Sequence, residues 1–317
     1  MRRFLRNFST NPVGSLPPRP TRTTAASAVF EAEREISTLQ ASTREALLRH
    51  DHHAALTSAQ SCIEATVELL GKEHVAYAAA LNNMAQVHRA AGRPADALPL
   101  AEDALRLYET SAGKTHPSTA SARANLGLLR VALGTAAKGV ARLDHATAAV
   151  ILLEGALAAR REAALGGASK PDAGVGIALY QLASAVALNK DFVRAEKLAT
   201  EAVLVLKATP GGLQSPATGT ALNNLGFLLK SRGAFARADE IYTQALTLRR
   251  AVLGEKHADA LVTAHNLAEC RRAAGDEAGA LKIQHEILGI MGHDDDGKNH
   301  PASDHDMPPP AINTLLR

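Results

Sequence analysis

Tryptophan is absent from this sequence, and Phe, Tyr and Trp together supply only 3% of its 317 residues. Sandwiches and barrels draw their strands from aromatic and β-branched residues, so this scarcity argues against an all-β fold. Only two cysteines occur, Cys62 and Cys270. They are too few and too far apart for a disulfide framework or a zinc knuckle, and each falls where a small buried helix residue is expected. No apolar run approaches the roughly 18 residues of a membrane-spanning helix, and the mean hydropathy is -0.07. There is no Gly-Lys-Ser/Thr phosphate loop, no Gly-x-Ser-x-Gly elbow and no His-Glu-x-x-His pair. Nothing positive therefore points to an enzyme, a cofactor or a metal site.

Alanine is what the chain has in quantity, with 64 residues. Alanine is the best helix former and its small side chain lets helices approach closely, so the composition predicts packed helices. Charge is unevenly placed. Residues 1–30 hold Arg2, Arg3, Arg6, Arg19 and Arg22 and no carboxylate before Glu31, whereas the rest balances 30 basic against 32 acidic residues. The body thus lacks the basic stripe that phosphate binding requires, and no nucleic-acid partner is expected.

On a helical wheel Met1, Phe4, Leu5 and Phe8 face away from Arg2, Arg3 and Arg6. A basic, amphipathic, acid-free start followed by Ser and Thr is the pattern of an organellar transit peptide. Arg6-Asn7-Phe8-Ser9 resembles a mitochondrial processing site. Residues 1–30 are therefore expected to be a disordered targeting leader, with the mitochondrion, most plainly its matrix, as destination and the chloroplast or cytoplasm as alternatives.

The strongest signal is self-similarity. Met84, Leu126, Leu182, Leu225 and Leu267 sit in segments that align with one another, and successive anchors are 42, 56, 43 and 42 residues apart. Each anchor precedes a small residue: Ala85, Gly127, Ala183, Gly226 or Ala268. Eight positions past the anchor stand Gly92, Gly134, Lys190, Gly233 and Gly275, mostly the residue that ends a helix and reverses the chain. Further on come Ala97, Gly139, Ala195, Ala238 and Ala280, then Ala104, Ala146, Ala202, Ala245 and Ile287. Small residues here let two antiparallel helices pack tightly. A degenerate earlier unit matches at an offset of 42, with Ala55, Ala59 and Cys62 in place of Ala97, Ala101 and Ala104 and a glycine-free turn at His50-Asp51-His52. The longer interval predicts an extended helix over Val150–Ala164 followed by a flexible Gly166–Pro171 link.

The pattern of Leu then small residue, turn Gly and paired Ala is identified as the tetratricopeptide repeat. The 42-residue period, the Leu-Asn-Asn segments and the connectors Gly71–His74, Gly113–Pro117 and Gly254–His257 resemble its kinesin-light-chain-like subclass. The resemblance implies an all-α, right-handed α-solenoid of about six helix-turn-helix units near 36–70, 77–112, 119–164, 174–208, 217–251 and 259–290. Together these span 31–291, and 292–317 forms a polar His/Asp/Pro tail expected to be disordered. His74, His116 and His257 recur at one register, which points to a structural role at helix ends. His50–His53 reads as a solvated turn.

In such arrays the first helix of each unit lines a concave groove. By that resemblance the groove presents Asn82, Asn83, Gln86 and Arg89 from one unit and Asn125 from the next. Tyr180 and Gln181 follow, then Asn223, Asn224 and Lys230, and finally His265, Asn266, Glu269 and Arg272. A carboxamide both donates and accepts, so these side chains suit the backbone of an extended peptide; the same amides can instead bond across adjacent helices. The expected function is a non-catalytic scaffold that holds an extended segment or helix of a partner protein, as an assembly or adaptor factor. The competing readings are an organellar RNA-binding helical repeat, which the period and charge disfavour, and a cytosolic motor adaptor.

Overall fold

The computed structural model describes residues 22–165 and 172–291. The expected processing site, the Gly166–Pro171 link and the 292–317 tail lie outside the described residues. Within them twelve α-helices follow one another: α1 (Arg22–Leu48), α2 (His52–Leu69), α3 (Val75–Ala90), α4 (Pro94–Ser111), α5 (Pro117–Ala136), α6 (Gly139–Leu165), α7 (Ala173–Leu188), α8 (Phe192–Ala208), α9 (Pro216–Ser231), α10 (Phe235–Leu253), α11 (Ala258–Ala273) and α12 (Glu277–Met291). No strand is present among the described residues. α1 begins at Arg22, inside the stretch assigned to the leader and ahead of the Glu31 boundary.

The helices form six antiparallel pairs stacked as an α-solenoid. Each helix packs on the next, and the first helices also touch one another in sequence, α1 on α3, α3 on α5, α5 on α7, α7 on α9 and α9 on α11. Second helices are bridged instead by long side chains. Glu154 of α6 pairs with Arg194 of α8, Arg161 with Glu201 at 2.5 Å, and Arg250 of α10 with Glu286 of α12 at 2.7 Å. Because the first helices stand closer together, the stack curves with them on the inside.

Alanine makes the pairs possible. Ala97, Ala104, Ala195, Ala202, Ala238, Ala245 and Ala280 are all fully buried. A side chain on Gly226 would place its Cβ 2.8 Å from the Tyr242 ring, and one on Gly127 would meet Leu153 Cγ at 2.7 Å. The turns between paired helices need one left-handed residue, and Gly92, Gly233 and Gly275 supply it at φ 72°, 76° and 90°. His50 and Lys190 take the same conformation without being glycine.

Gly134 is a correction to the sequence reading. α5 runs through it to Ala136, and the chain reverses at Gly139, φ 58°. Gly134 is buried inside the helix, where a Cβ would lie 2.8 Å from Leu188 Cδ2. Its missing side chain serves packing on α7 rather than a turn. The predicted long second helix is present as α6, of 27 residues.

Repeats are joined by short connectors whose last residue caps the next helix. His74, His116 and His257 each accept a backbone N–H through Nδ1, from Ala76 (3.2 Å), Ser118 (3.1 Å) and Asp259 (3.1 Å). Asp172 and Ser215 do the same for α7 and α9, accepting from Gly174 (2.8 Å) and Ala217 (3.3 Å). One imidazole, carboxylate or hydroxyl thus satisfies one of the unpaired donors that every helix start presents.

Candidate functional site

The inner wall is built from helices of unusual charge. α3, α5, α7 and α9 contain no Asp or Glu at all, while carrying His88, Arg89, Arg123, Arg130 and Lys230. Among the described residues the acidic side chains lie instead on the second helices, on α1, on α11 and in the connectors. Arg123 is held by Glu109 at 2.6 Å and Arg130 by Glu102, both reaching back to α4. Along α3, α5, α7 and α9 the concave wall is therefore free of negative side chains.

The asparagines divide into two groups. Asn125 Nδ2 donates to Asn82 Oδ1 at 3.0 Å, linking α5 to α3, and Asn266 Nδ2 donates to Asn223 Oδ1 at 3.0 Å, linking α11 to α9. Asn223 and Asn224 are 1% exposed and Asn266 is fully buried, so neighbouring helices shield all three from solvent. Asn82 and Asn125 are half-buried. The ladder stops at α7, where Tyr180 and Gln181 hold the equivalent positions.

The half-buried candidates that remain open to the groove are Asn83, Gln86, Arg89, Tyr180, Gln181, Lys230, His265, Glu269 and Arg272. Burial lowers the pKa of Arg89. Burial also raises that of the Tyr180 phenol, against the opposing positive charges of Arg249 and Arg160, so Tyr180 presents a neutral hydroxyl. Burial pushes His265 below the ordinary imidazole value; Glu269 opposes this while Lys230 and Arg272 add to it. Arg272 is engaged by Glu269 and, at 3.3 Å, by Glu277. Its charge is largely compensated within the repeat, unlike that of Lys230.

At the amino-terminal end the wall opens into a cavity of about 320 Å³ between α1 and α3. Asn83 and Gln86 line it from α3, and Gln40 and Arg44 line it from α1. The α1 residues were missed because the first unit was aligned only through its second helix. The same offset of 42 carries Gln40 onto Asn82 and Arg44 onto Gln86, so the signal was present. Arg249 was also missed. This fully buried guanidinium donates to Asp259 O (2.8 Å), Thr263 Oγ1 (2.6 Å) and Thr220 Oγ1 (3.1 Å), tying α9, α10 and α11 together beneath the groove.

The profile of the tetratricopeptide repeat matches residues 46–110, 174–251 and 217–291, more than half of the chain. The chain belongs to the tetratricopeptide repeat family. Three solved structures are similar to it in fold. BtubC (BKLC) from P. vanneervenii is 23% identical, with a TM-score of 0.55 over 86% of this chain and 96% of its own. The putative kinesin light chain repeats of Podosopora anserina are 19% identical, with a TM-score of 0.54 over 69% of this chain and 97% of theirs. The quorum sensor NprR from B. thuringiensis is 15% identical, with a TM-score of 0.57 over 82% of this chain and 66% of its own. No curated protein sequence matches the chain at a significant level. The tetratricopeptide stack is thus similar in fold to kinesin-light-chain-like arrays.

Proposed function

We propose that this tetratricopeptide repeat protein is a non-catalytic scaffold that holds an extended segment of a partner protein along its concave wall. The observation that carries this reading is the wall itself: α3, α5, α7 and α9 lack any carboxylate, and α3 and α7 present the half-buried carboxamides of Asn83, Gln86 and Gln181. Amides can match a peptide's N–H and C=O groups without reading its side chains. NprR, which shares the fold, has been solved with its cognate peptide NprX, and a Rap protein with Competence and Sporulation Factor. Both support a reading in which a stack of this fold binds a partner.

The test is affinity capture from cell extract with the full chain beside a variant carrying Gln86→Ala, Gln181→Ala and Lys230→Ala. These three residues are half-buried and lie outside the Asn–Asn bonds, so the variant is expected to melt like the parent. A defined set of proteins held by the parent and lost from the variant supports the groove; an unchanged set removes it. The organelle is a separate proposal, supported by the basic, acid-free residues 1–30. A reporter fused to them is expected to enter mitochondria, and a diffuse signal would refute it.

A further inference from the structure

We infer that the outward face of α6 is a homodimer surface, on which a second copy of this chain packs its own α6 antiparallel. On α2, α4 and α10 the outward side chains are polar: Gln60 and Glu64, Asp103 and Arg106, and Glu240 and Thr247 are all exposed. α6 departs from this. Val140, Leu143 and Ile151 are 74%, 57% and 64% exposed. At about 100° per residue they share with Thr147 a stripe about 80° wide. α6 is also the helix lengthened by the 56-residue interval between repeats, with 27 residues against 18 in α4 and 17 in α8. α8 exposes Val193 and Leu204 as well, but Lys197 stands between them.

The spacing on this stripe selects a second copy. A two-fold contact requires a patch that is complementary to itself. Leu143 and Ile151 stand four residues on either side of Thr147. In an antiparallel pairing centred on Thr147, Leu143 of each copy therefore meets Ile151 of the other around a small central residue. Charge agrees with that direction. The exposed Lys138 precedes the stripe, and Glu154, paired with Arg194 of α8, follows it. Antiparallel copies set these unlike charges together, whereas parallel copies would set like on like. Asp144, at the margin of the stripe, is exposed. α6 belongs to the outer layer of the solenoid, so the pairing leaves both concave walls open.

Sedimentation velocity of the full chain tests this. The expected species has twice the 33.2 kDa of one chain. One helix face is a small interface, so its dissociation constant is expected in the micromolar range. Leu143→Glu with Ile151→Glu is expected to raise that constant at least about tenfold, because the pairing would bury carboxylates without partners. Leu143→Glu with Ile151→Lys sets each new acid against a new base only if the copies run antiparallel about Thr147, and is expected to recover part of the loss. Gln60→Glu with Thr247→Glu adds the same charge on α2 and α10 and is expected to change nothing. All the substituted side chains are exposed, so each variant is expected to melt like the parent. Thr147→Cys is expected to form an intermolecular disulfide on mild oxidation, since the two copies of this residue meet on the axis while Cys62 and Cys270 are buried.

A parent that stays monomeric through the micromolar range overturns the proposal. A protein captured from extract by that monomeric parent, and lost from Leu143→Glu with Ile151→Glu, gives the face to a different partner. Dimers that the variant with two new acids keeps as tightly as the parent place the contact on another surface and overturn it as well. Equal weakening by the acid–acid and acid–base variants, with no disulfide from Thr147→Cys, overturns the antiparallel pairing.

Discussion

Asn125 and Asn82 lie 43 positions apart in sequence and share a single hydrogen bond of 3.0 Å, and Asn266 and Asn223 repeat it at the other end of the stack. In each pair the later repeat donates and the earlier one accepts. The recurrence makes these amides part of the joint between repeats. It also explains why a run of Asn-Asn dipeptides is compatible with a groove that binds through other residues.

The joint predicts an asymmetry between the two ends. Asn223 and Asn266 are buried, so Asn266→Ala strands the Asn223 carbonyl oxygen without solvent. It is expected to cost about 1–3 kcal/mol. Asn125→Ala, in the half-buried pair, leaves Asn82 within reach of water and costs less. Urea denaturation of the two variants checks this, and an equal or reversed order would show that the buried pair does not stabilise the joint.

Glycine gives a sharper contrast. Gly226→Ala sets a methyl group 2.8 to 3.0 Å from three atoms of the Tyr242 ring. That ring is itself fully buried and cannot swing aside. The expected loss is about 1–3 kcal/mol. Gly289→Ala on α12 meets nothing within 4 Å, and it should gain up to about 1 kcal/mol by helix propensity alone. Thermal unfolding of both reads the difference in sign.

The recurring alanines and the turn glycines made the fold legible, because helix packing and chain reversal restrict residue type more tightly than function does. Gly134 misled for the same reason. A glycine that admits a neighbouring side chain and a glycine that turns the chain look alike in an alignment, and only the approach of Leu188 tells them apart. At the site the difficulty is geometric. Asn82 and Asn83 are adjacent in sequence, yet the first bonds to Asn125 while the second lines an open cavity. Their register alone could not say which carboxamide was already engaged. Arg44 escaped because the first unit lacks the glycine and the Leu-small pair on which the other registers were aligned.

The capping histidines were read correctly as helix-end residues, and they can be exchanged. Asp172 and Ser215 occupy the seat that His116 and His257 hold in other repeats. His116→Asp is therefore expected to keep the cap on α5. His116→Ala leaves the Ser118 N–H without its acceptor and costs about 0.5–2 kcal/mol. Equal melting temperatures for the two variants would show that the imidazole contributes nothing at the helix start.

Acid should loosen the carboxyl-terminal repeats through His265. Burial is the main cause that depresses its pKa below the ordinary imidazole value of about 6.5, with Lys230 and Arg272 adding to it and Glu269 opposing. His88 of α3 is depressed as well, by burial and then Arg93, against Asp96. Between pH 6.5 and the lower folded value, the unfolded chain holds the proton and the folded chain does not. Unfolding therefore takes up protons in that window, and stability falls as the pH drops through it. Above pH 6.5 both states are neutral at these positions and the contribution is flat. His265→Asn removes one titrating group, so its stability measured by urea denaturation should decline less steeply than the parent's from pH 7 to about pH 5. Parallel declines would show that His265 titrates alike in the folded and unfolded chains.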